Sequence, residues 1–197
     1  PASLKQPELD LTGWHEGDLS GVRLGVYPAW LEDADDDVVN AAKTALEAWT
    51  NAGAEIIEVT LPDPDLQRIV HLVTIASEML AGQQDLPAVR HQYGLDVRLN
   101  FALIKHLSAA DFVHAQRLRH ALTKTIRETF RSIDALITPS TACAAPLLAK
   151  DALPHGESNI VMLDKIMRFA VTANLTGQPA ISMPAGTTTG GLPLGVQ

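Results

Sequence analysis

Cysteine is almost absent from this 197-residue chain, in which Cys143 is the only example. A single thiol excludes an internal disulfide and fits a reducing compartment, so we expect a cytoplasmic protein. No apolar run reaches the roughly 20 residues of a membrane span, and the polar start at Pro1 has no signal-type apolar core. We therefore expect no membrane partner.

Positive charge is scarce as well, because 15 basic residues stand against 23 acidic ones and the formal net charge is -8. Phosphate recognition needs clustered Lys and Arg, so we expect no nucleic-acid partner. One basic cluster follows an amphipathic helical pattern and is interrupted by Glu128, which favours a solvated face over an anion site. Its members are Arg117, Arg119, Lys124, Arg127 and Arg131.

Patterns that would bind a metal or a cofactor are also missing. His114 and His120 are six residues apart and point to different faces of a helix. Four other histidines lack cysteine or carboxylate companions at ligand spacing: His71, His91, His106 and His155. We expect no metal site and no cofactor.

A Cys/His pair and a Gly-rich stretch each have a simpler interpretation than a functional site. Cys143 and His155 lie in one loop segment without an assignable orienting residue, so an inert buried thiol is favoured over a nucleophile. The stretch from Gly186 to Gly191 lacks the Gly-Lys-Ser/Thr ending of a phosphate loop, and we interpret it as a hairpin turn.

The first third of the chain predicts a strand, a helix and a second strand. Val22 to Tyr27 forms a short apolar segment ended by Pro28, and residues 54–61 alternate as a strand does. The helix between them begins at Asp33 to Asp37, where carboxylates can cap free N–H groups. This is a βαβ unit, which favours a doubly wound or mixed sheet. The apolar stripe of the helix is Val38, Ala42, Ala45, Leu46 and Trp49.

The remaining elements follow the same alternation. We predict a helix from Asp65 to about Gln84, followed by short helical pieces from Asp85 to Leu107. A Ser108–Asp111 capping box then begins a long helix. After it we predict a buried strand from Asp134 to Thr138, a loop to about Gly156, and a helix from Ser158 to Ala173. No repeat or linker divides the chain. We expect one α/β region over residues 1–197, with an extended lead-in over residues 1–20.

The final segment is the most informative part of the sequence. We expect Asn174 to cap the last helix and Gly177 to supply a left-handed turn. A Pro-bounded apolar segment from Pro179 to Pro184 then predicts a strand, and the residues from Leu192 to Val196 predict a second one. Because the chain stops inside this strand and begins without Met, we expect a fragment of a larger domain.

Four stretches carry a specific resemblance. They are Gly21 to Val59, Ser77 to Leu80, Ser108 to Ser140, and Asn174 to Gln197. The last reads Asn-Leu-Thr-Gly-Gln-Pro-Ala-Ile-Ser-Met-Pro and closes with Gly-Leu-Pro-Leu-Gly-Val-Gln. Taken in order over nearly the whole chain, these stretches resemble the second half of the amidase signature family.

The resemblance implies part of an α/β fold in which a mixed β-sheet is covered by helices on both faces. It also implies amide hydrolysis by a Ser nucleophile, a second Ser in a cis peptide and a Lys, carried by a Gly-Gly-Ser-Ser-Gly-Gly-Ser stretch and an upstream Lys. No such stretch occurs here, and none of the six lysines stands in a Ser-x-x-Lys arrangement. We assign no catalytic residue to this chain and expect it to be inactive alone.

Substrate contacts can be carried over from the family. Its members line the substrate cleft with the loop after a Thr-Pro strand end, which here implies Thr138, Pro139, Ser140 and Thr141. A polar loop that simply ends a strand is the alternative. Family members often continue with Thr and another Pro, whereas this chain reads Ser-Thr-Ala-Cys-Ala-Ala-Pro, so the acyl-group preference stays open.

The expected function is part of an amidase that cleaves a small-molecule carboxamide through a Ser acyl-enzyme, with a homodimer left open for the intact protein. A non-catalytic binding or scaffold domain with the same half-fold is one alternative. Part of a transfer-RNA-dependent amidotransferase is another, against which the acidic charge argues.

Overall fold

A parallel βαβ unit begins the fold. The computed structural model describes residue 12 and residues 17–83, 88, 90–148 and 159–197. It begins with strand β1 (Arg23–Val26), helix α1 (Pro28–Leu31), helix α2 (Asp36–Asn51) and strand β2 (Glu55–Glu58). β1 pairs in parallel with β2, so the predicted unit is confirmed. The sequence did not predict α1, in which Pro28 occupies the first turn with a φ suited to a helix start. Of the predicted lead-in, residues 1–11 and 13–16 lie outside the described residues.

A layer of helices follows: α3 (Pro64–Gly82), a 3₁₀ turn (Arg90–Gln92), α4 (Leu95–Ile104) and α5 (Ala109–Thr129). The capping box of α5 is confirmed, since Ser108 Oγ accepts from the Asp111 N–H and the Asp111 carboxylate accepts from the Ser108 N–H. The predicted end of α3 at Gln84, and Asp85 to Pro87, lie outside the described residues. No described helix is long and apolar enough to cross a membrane.

The buried face of α3 is more polar than its sequence predicts. The helical spacing of the apolar residues in the sequence predicts that Ile69 and Met79 belong to the buried stripe of this helix, but they are 60% and 44% exposed. Gln67 is fully buried instead, and its amide donates to the Pro62 carbonyl at 2.9 Å and accepts from the Thr172 hydroxyl at 2.8 Å. Both ends of the amide are therefore satisfied, which removes the cost of burying it.

The basic cluster on α5 and just after it is largely exposed, as we expected. Arg117, Lys124, Arg127 and Arg131 are exposed. Arg119 is the exception, because it is half-buried and its Nε donates to the Leu175 carbonyl at 2.6 Å.

The predicted helix from Ser158 to Ala173 is wrong as a single helix. Ser158 lies outside the described residues, and the remainder forms α6 (Ile160–Met167) and α7 (Ala170–Thr176). The chain bends at Phe169, which is fully buried with its ring 5.9 Å from that of Trp30. The spacing of apolar residues in a single helix predicts that Leu163 and Ile166 are buried, but they are 53% and 39% exposed.

The C-terminal hairpin is confirmed, although its first strand is displaced. β3 (Ala135–Ile137) pairs in parallel with β1, whereas β4 (Met183–Thr187) and β5 (Pro193–Val196) are antiparallel. The strand predicted from Pro179 therefore begins only at Met183, because Met183 pairs with Val196 near the end of β5. Gly186 lies inside β4 at an irregularity in the register, and the turn occupies residues 188–191.

The two sheets are joined at the end of β3. Thr138 and Gln197 exchange two backbone hydrogen bonds of 2.9 and 2.7 Å, next to an antiparallel bridge between Pro139 and Val196. Helix α2 covers one face, where Ala42 packs with Leu24, Val26, Ile137 and Val196. On the other face, Leu136 packs against Trp30 and Phe169. The predicted mixed sheet with helices on both faces is confirmed.

Helix α7 ends later than the sequence suggested. Asn174 lies inside it and does not cap its end, so that expectation is wrong. Gly177 is the C-terminal cap, with φ of 73° in the left-handed region, as predicted.

Replacing Gly177 with alanine should destabilise the protein, because a Cβ disfavours this left-handed conformation by about 1 kcal/mol. Urea unfolding followed by circular dichroism measures the change. Gly190→Ala is the matched control, since Gly190 is exposed and has no positive φ. Equal midpoints for the two variants would contradict the role given to Gly177.

Candidate functional site

The candidate site is the segment from Thr138 to Thr141, which follows the carboxyl end of β3. Its backbone is held by β5, since the Ser140 N–H donates to the Gly195 carbonyl at 3.0 Å beside the Thr138–Gln197 pair. Pro139 is fully buried and Thr138 is 4% exposed. The backbone of this segment is therefore fixed by the sheet, while its side chains differ in what they contact.

Two hydroxyl groups of this segment are buried without a partner. Thr138 Oγ1 and Ser140 Oγ have no hydrogen-bond partner among the described residues. Ser140 lies over Gly195, where a Cβ would come within 2.9 Å of its Oγ, so a larger residue there would require the Ser140 side chain to shift. A buried hydroxyl that lacks a partner costs roughly 1–3 kcal/mol, which makes both groups candidates for bonding to a molecule or segment that is not described.

Thr141 differs from its neighbours, because its hydroxyl donates to the Cys143 carbonyl at 2.7 Å. Its hydrogen bond shapes the loop. Thr138 lines a cleft of about 370 Å³ that runs along β3, while Pro139, Ser140 and Thr141 do not line it. The four residues predicted from the sequence are thus adjacent at one strand end, but only Thr138 borders this cleft.

The cleft includes residues that the sequence did not single out. Trp30, Phe130 and Phe169 supply aromatic walls, and Gln178 to Ile181 form the wall opposite β3. The sequence contained only a weak signal for these residues: Trp30 lies a few positions after the first strand, and Pro179 follows the end of α7.

A group of ion pairs anchors the loop beyond Thr141. The Asp35 N–H donates to the Ala142 carbonyl at 2.8 Å, and the Ala142 N–H donates to the Lys165 carbonyl at 2.8 Å. Lys165 Nζ lies 2.6 Å from the Asp35 carboxylate, whose hydrogen bond raises the pKa of Lys165. Asp35 was predicted to cap α2 with its side chain, but it binds Lys165 instead and makes no side-chain cap. A further ion pair of this group joins Arg168 to Asp33, with 2.7 Å between Arg168 Nη1 and the Asp33 carboxylate.

Metal-binding geometry is missing from the part of the chain that the structure describes. Those residues contain no cluster of three or more His, Cys, Asp or Glu side chains suited to a metal ion. His155 lies outside the described residues, so its pairing with Cys143 has no geometry.

Cys143 lies at the base of the loop with the features of an inert thiol. It is 6% exposed, and its Sγ is 3.7 Å from the Met162 sulfur. Burial raises the pKa of the Cys143 thiol, and the negative charge of Asp35 raises it further. The thiolate, which is the reactive form, is therefore disfavoured.

Alkylation of Cys143 by iodoacetamide at pH 8 should be slow in the folded protein. We expect a rate roughly tenfold or more below that of the chain unfolded in guanidinium, because a raised pKa leaves less thiolate. The rate should climb as the pH rises above 9. Mass spectrometry gives a clean measurement, since the chain has one cysteine. Equal rates in the folded and unfolded states would show that the thiol is neither buried nor suppressed.

Comparison with known proteins gives a consistent result. The family model for Amidase matches residues 1–197. A fatty acid amide hydrolase of Arabidopsis thaliana is 33% identical over 183 residues, covering 91% of this chain and 30% of that protein. A glutamyl-tRNA(Gln) amidotransferase subunit from Psychrobacter cryohalolentis is 26% identical over 205 residues, covering 91% of this chain and 40% of that protein.

A solved amidase structure shares the fold, with a TM-score of 0.78 and 22% identity over 91% of this chain and 42% of that one. The chain thus spans about 30% of the length of the fatty acid amide hydrolase it matches. A model match over the whole chain and a shared fold lead to one conclusion: this chain belongs to the amidase signature family.

Proposed function

We propose that this chain is part of an amide hydrolase and forms one wall of its substrate pocket. The observation that carries the proposal is the family match over residues 1–197, together with two hydroxyls at one strand end that have no partner among the described residues. The Ser nucleophile, the cis-Ser and the Lys would lie on polypeptide outside this sequence. The protein would act in the cytoplasm, and a homodimer remains a prediction.

In this mechanism the nucleophilic Ser oxygen bonds to the substrate carbonyl carbon, and the Lys, acting through the second Ser, accepts its proton. The C–N bond then breaks, the amine leaves with that proton, and water releases the acid from the acyl-enzyme. The residues of this chain would bind and orient the amide. The Thr138 and Ser140 hydroxyls can donate to it, Pro139 fixes the backbone between them, and Thr141 holds the loop through Cys143.

Orientation of this kind matters because a reacting group must be held close to its attack geometry, and small displacements cost rate. The strand end is suited to the task. Its backbone is fixed by three hydrogen bonds, two between Thr138 and Gln197, the residue that follows β5, and one from Ser140 to Gly195 in β5. A pocket wall on a paired strand moves less than one on a free loop.

Thr138→Val in the complete product of the gene that encodes this chain tests the role of the hydroxyl. We expect kcat/KM for the best amide in a substrate panel to fall by roughly tenfold, the value of one lost hydrogen bond of about 1.4 kcal/mol. Thr189→Val, at the exposed hairpin turn, is the matched control and should leave kcat/KM unchanged.

Stability separates a binding role from a structural one. Valine has a similar shape and removes a buried hydroxyl that has no partner among the described residues, so the melting temperature should not fall. A lower melting temperature with unchanged kcat/KM would refute the binding role of Thr138.

The isolated 197 residues should hydrolyse no amide. Turnover by them, abolished by a substitution within them, would overturn the assignment of the nucleophile to other polypeptide.

A second candidate rests on the amidotransferase relatives, one of which matches 91% of this chain. Amide formation on a charged transfer RNA, dependent on partner proteins, would favour it over free amide hydrolysis. The scaffold alternative requires no activity in the complete gene product and a cooperative, monomeric melt of this chain alone.

A further inference from the structure

Helix α3 carries a row of buried polar residues on the face that meets helices α5 and α7. Gln67, His71 and Thr74 are four and three residues apart, so they lie on one face of the helix, and all three are buried. The row and the side chains around it form what we call the polar seam. Its members are Gln67, His71 and Thr74 of α3, Gln116 and Arg119 of α5, and Thr172 and Leu175 of α7.

Hydrogen bonds cross the polar seam on both sides of His71. One turn before it, the Thr172 hydroxyl donates to Gln67 Oε1 at 2.8 Å. One turn after it, Gln116 Nε2 donates to the Thr74 hydroxyl oxygen at 3.0 Å. His71 itself is only 8% exposed. It is therefore held between two ordered contacts, one to α7 and one to α5.

Arg119 is the charged group that acts on His71. Its Nε donates to the Leu175 carbonyl at 2.6 Å and its Nη1 donates to Gln116 Oε1 at 3.4 Å, so the guanidinium is fixed within the seam. Burial lowers the pKa of His71, and the positive charge of Arg119 lowers it further. Because an arginine stays protonated at physiological pH, protonation of His71 would place a second positive charge beside the first.

The helices packed against α3 supply no carboxylate to offset that second charge. Helix α7 has no titratable side chain, and of the charged side chains of α5 only Arg119 acts on His71 among the described residues. The charged residues of the other two helices do not act on it either: these are Asp65, Arg68 and Glu78 of α3, and Asp96 and Arg98 of α4.

Helix α7 connects the polar seam to the candidate site. Phe169, the residue before α7, is fully buried, and its carbonyl accepts from Gln197 Nε2 at 3.3 Å. The backbone of Gln197 in turn exchanges two hydrogen bonds with Thr138. Thr172, which binds Gln67, also lines the cleft beside Thr138. A movement of α7 away from α3 would therefore reach the strand end through two contacts.

We propose that the polar seam is a pH-sensitive contact that positions the strand end at Thr138, closed while His71 is neutral and loosened when His71 is protonated. Two positive charges side by side in a buried junction repel each other and lack hydration, and moving α7 outward admits water to both. The positioning role rests on the proposed function, because Thr138 is where the amide would bind. The loosening of α7 does not rest on it.

The lowered pKa of His71 sets the pH range in which the seam weakens. An unperturbed histidine has a pKa of about 6.5, and that of folded His71 is lower. The stabilisation is therefore complete above about pH 6.5 and is lost as the pH falls from there toward the pKa of the folded state. One proton taken up on opening changes the opening equilibrium constant by at most about tenfold per pH unit.

His71→Gln in the complete gene product tests the titration, because glutamine is polar but takes up no proton. Between pH 7.5 and 5.5, the unfolding equilibrium constant of the wild type, measured in urea, should rise by roughly threefold or more relative to that of the variant. His106→Gln is the matched control, since His106 is exposed and outside the seam, and it should keep the wild-type pH dependence. The same pH dependence in His71→Gln and wild type would overturn the proposal.

Hydrogen exchange in the unaltered gene product locates the loosened helix, and it decides the question if His71→Gln does not fold. Protection factors, which correct for the effect of pH on intrinsic exchange, should fall by roughly threefold or more for amides 174–177 between pH 7.5 and 5.5. Amides 42–46 of α2, which lies outside the seam, are the internal control and should change less. Equal changes in the two helices would contradict the loosening of α7.

Kinetics separate this inference from the proposed function. KM for the best amide in the substrate panel should rise by roughly threefold or more from pH 7.5 to 5.5 in wild type and His106→Gln, and less in His71→Gln. Protonation of the catalytic Lys would lower kcat in all three proteins alike, so KM is the informative constant. A pH-dependent seam in a gene product that hydrolyses no amide would retain the loosening of α7 and refute the hydrolase. Amide hydrolysis with an equal rise of KM in all three proteins would refute the positioning role alone.

Discussion

The reciprocal pair of hydrogen bonds between Thr138 and Gln197 is the constraint on which the rest of the structure depends. It joins a parallel sheet, built by β1, β2 and β3, to an antiparallel hairpin formed by β4 and β5. Together with the Ser140–Gly195 hydrogen bond beside it, this pair places the hairpin next to β3, where Val196 joins the core that helix α2 covers. The same pair fixes the strand end where the candidate site begins, so fold and site share one element.

Ion pairs hold the loop that follows Thr141 in the candidate site. Arg168, which is 14% exposed on its side chain, holds Asp33, and Lys165 holds Asp35. These contacts connect the turn before α2 to the C-terminal end of helix α6, and Ala142 connects both to the site loop through its backbone. Exposed ion pairs contribute little stability one by one, but a half-buried network with backbone contacts fixes geometry. The ion pairs therefore contribute more to the position of the loop than to the stability of the fold.

Much of the fold could be predicted from local pattern. The βαβ unit, the capping box at Ser108 and the left-handed Gly177 follow from alternation, capping chemistry and glycine's freedom, all of which act over a few residues. The predictions that failed depend on distant contacts. The bend at Phe169 exists because Trp30 lies opposite it, and Asp35 leaves its capping role because it binds Lys165, which is 130 positions away. The position of β4 depends likewise on where β5 ends.

The sequence by itself determined the family and most of the order of elements, because motif residues and periodicity can be read along the chain. It also placed Thr138 to Thr141 at a strand end, since Pro139 stops a buried strand. Only the tertiary structure decided which of these hydroxyls lack partners among the described residues, that a cleft runs beside β3, and that Trp30 and Ile181 border it. Those features are set by the packing of segments that lie far apart in the chain, and such contacts cannot be read from the spacing of residues within one helix or strand.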